Sequence, residues 1–216
     1  MSMDVCVLAS GSGGNCTVVR TPTGIVLIDA GIGPRTFAAR MNGTGATLRD
    51  VSAICLTHLD RDHFSPIWAD TIISRGIRLF CHAARVEELI SICPGIAGQI
   101  SGFDHAFEPL TGMATHPIEL AHDDDGSHGF LIEGYDCRIG YATDLGRVTR
   151  ELIERFVDVD VLAIESNYDP QMQFESPRPV CVQGEAVSEM RAGLSWPSDR
   201  AWPQTGSSCG DKESSW

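Results

Sequence analysis

Apolar residues run along this chain in short blocks divided by turn-forming segments, and their spacing predicts most of the secondary structure. Residues 5–9 form an apolar run that ends in the turn-rich Ser10-Gly-Ser-Gly-Gly-Asn15. Residues 16–20 and 25–28, joined by Thr21-Pro-Thr-Gly24, read as a β-hairpin ending at Asp29-Ala-Gly31. Residues 34–41 suit a short helix, and residues 51–56 form a buried strand that delivers the chain to Thr57-His58. Next come a helix from about residue 66, a strand at 77–81 and a helix at 83–92. Strands at 113–121, 129–133 and 137–142 follow, then a helix at 148–156 and a strand at 159–164. Strands first, helices interleaved and polar residues gathered at strand ends predict a mixed α/β sandwich.

The pattern weakens after residue 175. Up to there the chain holds 12 basic and 24 acidic residues, while the remainder holds 4 and 5, so the formal charge of −13 belongs almost wholly to the first part. The last 41 residues carry Trp196, Trp202, Trp216, four prolines and Lys212, with at most a short helix at 185–194. A length of 216 residues fits one domain, and a mean hydropathy of −0.03 places it among globular proteins. The acidity excludes a broad basic surface for wrapping nucleic acid. No run of 18 apolar residues occurs, and Asp4 stands where a signal peptide would be basic, so the expectation is a cytoplasmic protein without a membrane span. The eight cysteines show no C-x-x-C; Cys6, Cys55 and Cys137 are expected as small core residues, which demotes disulfides and a thiolate zinc site.

Chemistry concentrates in Thr57-His-Leu-Asp-Arg-Asp-His63, directly after the 51–56 strand. His58, Asp60, Asp62 and His63 are four potential metal ligands within six residues. In extended backbone His58 and Asp60 project to one side, and a turn near Asp62 brings Asp62 and His63 round to a second point. Imidazole with carboxylate suits Zn²⁺, and also Mn²⁺ or Fe²⁺. The alternative is a solvated loop with ordinary Asp–Arg and Asp–His ion pairs. His122 and Asp144 each follow a later strand, where a ligand can be aimed into a cleft.

Taken in order, Ile-Val-Leu-Ile-Asp29-Ala-Gly, Leu-Thr-His58-x-Asp-x-Asp62-His63, Ala-His122 and Ala-Thr-Asp144-Leu-Gly resemble the motif series of the metallo-β-lactamase superfamily. Leu8-Ala-Ser-Gly-Ser-Gly-Gly-Asn15 and Ile164-Glu-Ser-Asn-Tyr-Asp169 narrow the resemblance to its YycJ/WalJ-like branch, over roughly residues 4–178. The resemblance implies an αββα sandwich with a dinuclear metal site between its sheets. It places His58, Asp60 and His122 on a first ion, Asp62 and His63 on a second, and Asp144 between them. Asp29 would be the structural aspartate that holds the site loops. Read instead as a phosphate-binding loop, residues 10–15 lack the Lys-Ser/Thr ending and open no convincing helix.

Two departures stand out. The family usually has histidine where Asp60 stands; a carboxylate there adds negative charge, makes a bound water less acidic and favours harder metals such as Mn²⁺. The branch also draws a last histidine from a downstream Gly-His-Leu-Ser-type segment, whereas here no histidine follows His128. The domain is therefore read as residues 1–178, incomplete at its C-terminal end, followed by a divergent tail at 179–216.

The function implied is a metal-dependent hydrolase of nucleic-acid phosphodiesters, exonuclease-like, with metal-activated hydroxide as nucleophile and Asp62 as both ligand and proton acceptor. His128 and His116 are candidates for the missing leaving-group acid. Hydrolysis of a small ester, thioester or lactam is the alternative on the same scaffold. A degenerate metal-binding protein without turnover is the other. The tail also carries a test of its own origin. Trp196-Pro-Ser-Asp can be encoded so that a shift of one base reads Gly-His-Leu-Thr, as expected of a tail translated out of frame from about Pro179. Reading the nucleotide sequence decides: a Gly-His-Leu segment in a shifted frame supports this origin, and its absence marks a genuine divergent tail.

Overall fold

Strand β3 (Gly24–Ile28) is apolar at every position after its glycine because it is buried on both faces. Ile25 and Leu27 enter one core, Val26 and Ile28 another. Such a strand belongs inside a layered structure rather than at a wetted sheet face. The computed structural model describes residues 3–120, 126–164 and 207–208, and shows those layers as two facing sheets with helices outside.

In the first sheet β1 (Asp4–Ala9), β2 (Cys16–Thr21) and β3 run antiparallel. From β3 the sheet continues in parallel through β4 (Val51–Cys55), β5 (Arg78–His82) and β6 (Ile100–Phe103). The connections place α1 (Pro34–Arg40), α2 (Ala69–Arg75) and α3 (Val86–Ile92) on its outer face. Phe37, Ile72 and Leu89 from these helices pack with Trp68 beneath Ile25, Leu27, Ile54 and Leu79. The Trp68 indole N–H donates to the Ile32 carbonyl at 2.7 Å, so this bulky side chain is buried with its polar atom satisfied.

The second sheet orders β7 (Phe107–Leu110), β8 (Met113–Leu120), β9 (Ser127–Gly134), β10 (Cys137–Ala142) and β11 (Val161–Ile164). Only β10 and β11 are parallel, and α4 (Arg150–Arg155) lies between them in sequence. Thr149 caps α4 by accepting the Leu152 N–H at 3.2 Å, and Leu152 seals the sheet's outer core against Ile118, Leu120 and Leu131. Between the sheets Val19, Val26, Ile28, Phe80, Phe130, Ile132 and Ile139 form the central core. Helix, sheet, sheet, helix is the αββα arrangement expected above.

The differences are local. Helical segments expected from residues 66 and 83 each begin with a 3₁₀ turn, Pro66–Trp68 and Ala83–Arg85. Strands β6 and β7 were not anticipated, because Ile-Ser-Gly-Phe and Phe-Glu-Pro-Leu lack clean alternation and become strands through pairing with β5 and β8. In the tail, β12 (Ser207–Ser208) pairs antiparallel with β1, where no strand was expected. Cys55 is buried as expected, but Cys6 is exposed, on the face of β1 opposite Val5. Cys137 is buried yet disulfide-bonded, against the expectation of a reduced core thiol. His122, the short helix at 185–194 and the boundary near residue 178 lie outside the described residues. Among the described residues, no helix is long and apolar enough to cross a membrane.

Candidate metal centre

The site is assembled where β3 and β4 end. Beyond β3 the chain passes through Asp29, Ala30 and Gly31; beyond β4 it enters the Thr57–His63 loop. The two are stitched together by main-chain bonds: the Ala30 N–H donates to the His63 carbonyl at 2.7 Å, and the Ser65 N–H donates to Ala30 at 3.0 Å. Within the loop, the amides of His63 and Phe64 both donate to the Asp60 carbonyl at 2.8 Å, which forms the turn. The segment after β1 closes the third side, as Asn15 N–H donates to the Asp62 carbonyl at 2.6 Å and Gly31 N–H to the Asn15 carbonyl at 2.8 Å. These three strands of chain meet so closely that a Cβ on Gly31 would stand 1.8 Å from the Asp62 carbonyl oxygen. Only glycine fits there.

Asp29 is the pivot. Its side chain is wholly buried, and its backbone adopts a left-handed φ of 61°, a conformation aspartate tolerates better than most residues. Oδ1 accepts the Thr57 N–H at 2.9 Å and the Thr57 hydroxyl at 3.0 Å, while Oδ2 lies 2.8 Å from His63 Nδ1. A carboxylate only accepts, so His63 carries its hydrogen on Nδ1 and turns Nε2 to the other side. The same logic extends to His58. The Thr57 hydroxyl spends its proton on Asp29 and so accepts from His58 Nδ1, 3.0 Å away, which puts the His58 lone pair on Nε2. A carboxylate behind an imidazole is the usual support for a metal-binding histidine.

Around His63 Nε2 the structure places Asp144 Oδ2 at 2.9 Å, Asn15 Nδ2 at 2.8 Å and Asp62 Oδ2 at 3.9 Å. Asp144 also has a left-handed backbone, with φ 52°. Two left-handed aspartates at one site are a concentration of backbone strain of the kind that tight functional geometry requires. His58, His63 and Asp144 each offer a donor atom within 4.8 Å of the others. Two imidazole nitrogens and a carboxylate oxygen, with both Nδ1 hydrogens already committed, fit a divalent cation of the zinc or manganese type.

The electrostatics require positive charge here. Burial acts against a charged His63 and is the largest single influence, yet Asp29 and Asp144 outweigh it and raise the imidazole from 6.5 to about 10. His58 is shifted the opposite way, by burial first and then by His63 beside it, their rings 3.9 Å apart. In the metal-free protein one proton on His63 answers the carboxylates; a bound cation would take that role and displace the proton. Burial also pushes the Cys16 and Cys81 thiols up to about 12, so neither is a thiolate nucleophile at neutral pH.

Among the residues expected from sequence, His58, His63 and Asp144 come together, and Asp29 stands behind them. Asp62 lies at the edge, its Oδ2 accepting from Asn15 Nδ2 at 3.3 Å. Asp60 is not drawn in: its side chain is 64% exposed and its Oδ2 is 3.7 Å from His58 Nε2. Asn15 and Thr57 received no role from sequence, although their neighbours did. Their signal was position, at the end of the glycine-rich turn and directly before His58.

Of the two candidate acids, His116 is paired with Glu133 at 3.2 Å on the neighbouring strand. His128 lies at the rim, where its N–H donates to the Thr57 carbonyl at 3.0 Å and its ring stacks on His82 at 4.6 Å.

With this geometry in place, the sequence comparison is decisive. The profile described as beta-lactamase superfamily domain matches residues 25–193, well over half of the chain. The chain belongs to this family.

Members of this superfamily are hydrolases whose fold generally binds divalent metal ions, and the two-sheet architecture is that fold; among the described residues His58, His63 and Asp144 form a group that could hold an ion. A curated relative, exodeoxyribonuclease YycJ of Bacillus anthracis, is 23% identical over 195 residues, which cover 88% of this chain and 72% of the relative. Zn²⁺-bound PqqB from Methylobacterium extorquens shares the fold with a TM-score of 0.60 at 18% identity, covering 76% of this chain and 73% of that one. A diphosphatase from the PhnP family does so at 0.59 and 19% identity, over 75% and 72% of the two chains.

The rim histidine offers a measurement. Burial, and then the charge of neighbouring His82, hold His128 down from 6.5 to about 4. A histidine held neutral in the folded state contributes stability that is present above about 6.5 and lost as pH falls toward about 4. Urea midpoints measured across that window should fall more steeply for the wild type than for His128→Phe; equal slopes would show that His128 is not the cause.

Proposed function

We propose that this chain hydrolyses nucleic-acid phosphodiesters, exonuclease-like, with divalent zinc or manganese ions held at the β3–β4 end of the sandwich. The observation that carries the reading is the convergence of His58, His63 and Asp144 on one point, with Asp29 and Thr57 fixing both imidazoles. The ligand assignment we favour puts His58, Asp60 and His122 on one ion and Asp62 and His63 on another, with Asp144 shared. Bound there, the ions would supply charge stabilisation at the phosphoryl oxygens and a water acidic enough to attack at neutral pH.

The protein's own groups do the rest. Asp62, tethered by the Asn15 amide and lying beside His63 Nε2, orients the attacking water and takes its proton. Asn15 holds that carboxylate and also the Gly11 amide, whose N–H donates to Asn15 Oδ1 at 2.9 Å, so the glycine-rich turn forms one wall of the site. Ser12, Gly13, Arg61 and Asp62 line an open depression there. Arg61 is the basic side chain beside it, suited to a phosphate on a strand entering the site. The choice of a phosphorus–oxygen substrate is supported by the names of two similar proteins, an exodeoxyribonuclease and a diphosphatase. The formal charge of −13 does not oppose it, because Asp60, Asp62 and Asp144, all counted in that figure, are carboxylates we assign to the ions.

Elemental analysis after growth with Zn²⁺ or Mn²⁺ should find tightly held metal, and His58→Ala should lower its occupancy. The metal-loaded protein should degrade single- or double-stranded DNA in preference to small esters. Absence of metal under both supplements would defeat the metal-hydrolase reading and favour an inert protein. Ester turnover without nuclease activity would overturn the substrate.

A further inference from the structure

A second group of side chains lies at the same end of the sandwich as the metal cluster. In the parallel register of β4 and β5, Cys55 stands opposite Phe80 and the Leu56 N–H donates to the Phe80 carbonyl at 2.8 Å, so His82 falls level with Thr57. His128 reaches the same residue from the other sheet, through its N–H bond to the Thr57 carbonyl. Beside it, the Ser127 hydroxyl donates to the Asp144 carbonyl at 3.5 Å. His82 thus lies level with Thr57 and His128 is bonded to it through the backbone, while neither histidine belongs to the metal cluster.

The two imidazoles are stacked, with ring centres 4.6 Å apart and planes 20° from parallel. Behind them Phe103 meets His82 and His128 edge-on, at 5.9 and 5.6 Å. Phe103 in turn stacks on Phe107 at 4.8 Å, and Phe107 on Phe80 at 5.0 Å. The result is a continuous aromatic column that starts in the core between the sheets and ends at His82, whose side chain is 32% exposed. His128 stacks on one face of the His82 ring and Phe103 meets it in a T-shaped contact, while about a third of the side chain stays exposed.

We propose that His82 is a stacking platform for the nucleobase next to the scissile phosphodiester. This deepens the nuclease reading and rests on it. A π-face set against a rigid column accepts any base without sequence preference and at little cost in side-chain ordering. The surrounding charge favours a base over a phosphate at this point. Asp104 lies 3.6 Å from His82 Nε2, and Glu119 stands opposite His128 in the strand register, so an anion would meet two carboxylates while a neutral base would not.

The test is binding of a short, nuclease-resistant phosphorothioate oligothymidylate and of its abasic counterpart, by fluorescence anisotropy. The variants are His82→Ala and His82→Phe, each checked for folding by circular dichroism. His82→Ala should weaken binding of the base-bearing strand by about 5- to 150-fold and leave the abasic strand unchanged. His82→Phe, which keeps a ring and removes the titratable nitrogens, should retain wild-type affinity. Unchanged affinity in His82→Ala would overturn the platform, as would an equal loss for the abasic strand or for His82→Phe. If the wild type bound neither strand, the nucleic-acid reading itself would fall, which is a different result from a wild type that binds and a His82→Ala variant that binds equally well.

Discussion

The site depends on one buried carboxylate. Asp29 lies wholly out of water, a placement that costs several kcal/mol for an ion left unpartnered. Three donors answer it: the Thr57 amide, the Thr57 hydroxyl and His63 Nδ1–H. Hydrogen bonds to a charged group are worth about 1.5–3 kcal/mol each, so the set is of the size needed to offset that burial. The same three bonds determine which nitrogen of His63, and through Thr57 which nitrogen of His58, presents a lone pair. Burial, tautomer and ligand geometry are thus consequences of a single interaction, and a change at Asp29 would be felt at every donor atom of the cluster.

The layered fold makes that interaction affordable by placing it at strand ends. β3 and β4 are buried on both faces, so their carboxyl termini are held rigidly between two cores. Loops leaving such strands can be irregular while their starting points are not. The Ala30–Phe64 bridge and the Gly31 close approach convert three separate loops into one wall. The second sheet contributes from the opposite side, with Asp144 just beyond β10 and His128 at the start of β9. A cleft between two sheets, fed with ligands from both, is where a cation can be surrounded without any strand being broken.

Much of this was legible in the chain. The continuous apolar runs of β3 and β4 announced buried strands, and the polar residues directly after them announced the site, because short strands flanked by charged turns leave few other places for such residues. His58, His63 and Asp144, which the structure brings together, were singled out this way, and Asp29 through the resemblance to the metallo-β-lactamase motif series. What escaped notice was set by tertiary pairing. β6 and β7 contain glycine or proline and little alternation, and they are strands because β5 and β8 stand beside them. Asp60 reads as His58's companion along the strand direction, but the chain turns there: its carbonyl accepts two amides, and its side chain, with Oδ2 3.7 Å from His58 Nε2, stands outside the group of His58, His63 and Asp144. Cys6 reads as core because it stands in an apolar stretch, yet it and Val7 are both exposed in the middle of β1, whose burial does not alternate. His82 gave no signal at all in sequence, since nothing there shows that β5 ends level with Thr57 or that His128 arrives from the facing sheet.

The central claim is that Asp29 organises a cation site through His63 and Thr57. Zn²⁺ affinity of Asp29→Asn, measured by competition with a chromogenic chelator against the wild type, tests it most directly. The amide keeps the size of the side chain and removes its charge. The account predicts an affinity lowered about 10- to 100-fold with the circular dichroism spectrum preserved. An Asp29→Asn protein that is folded and binds Zn²⁺ as tightly as the wild type would contradict it.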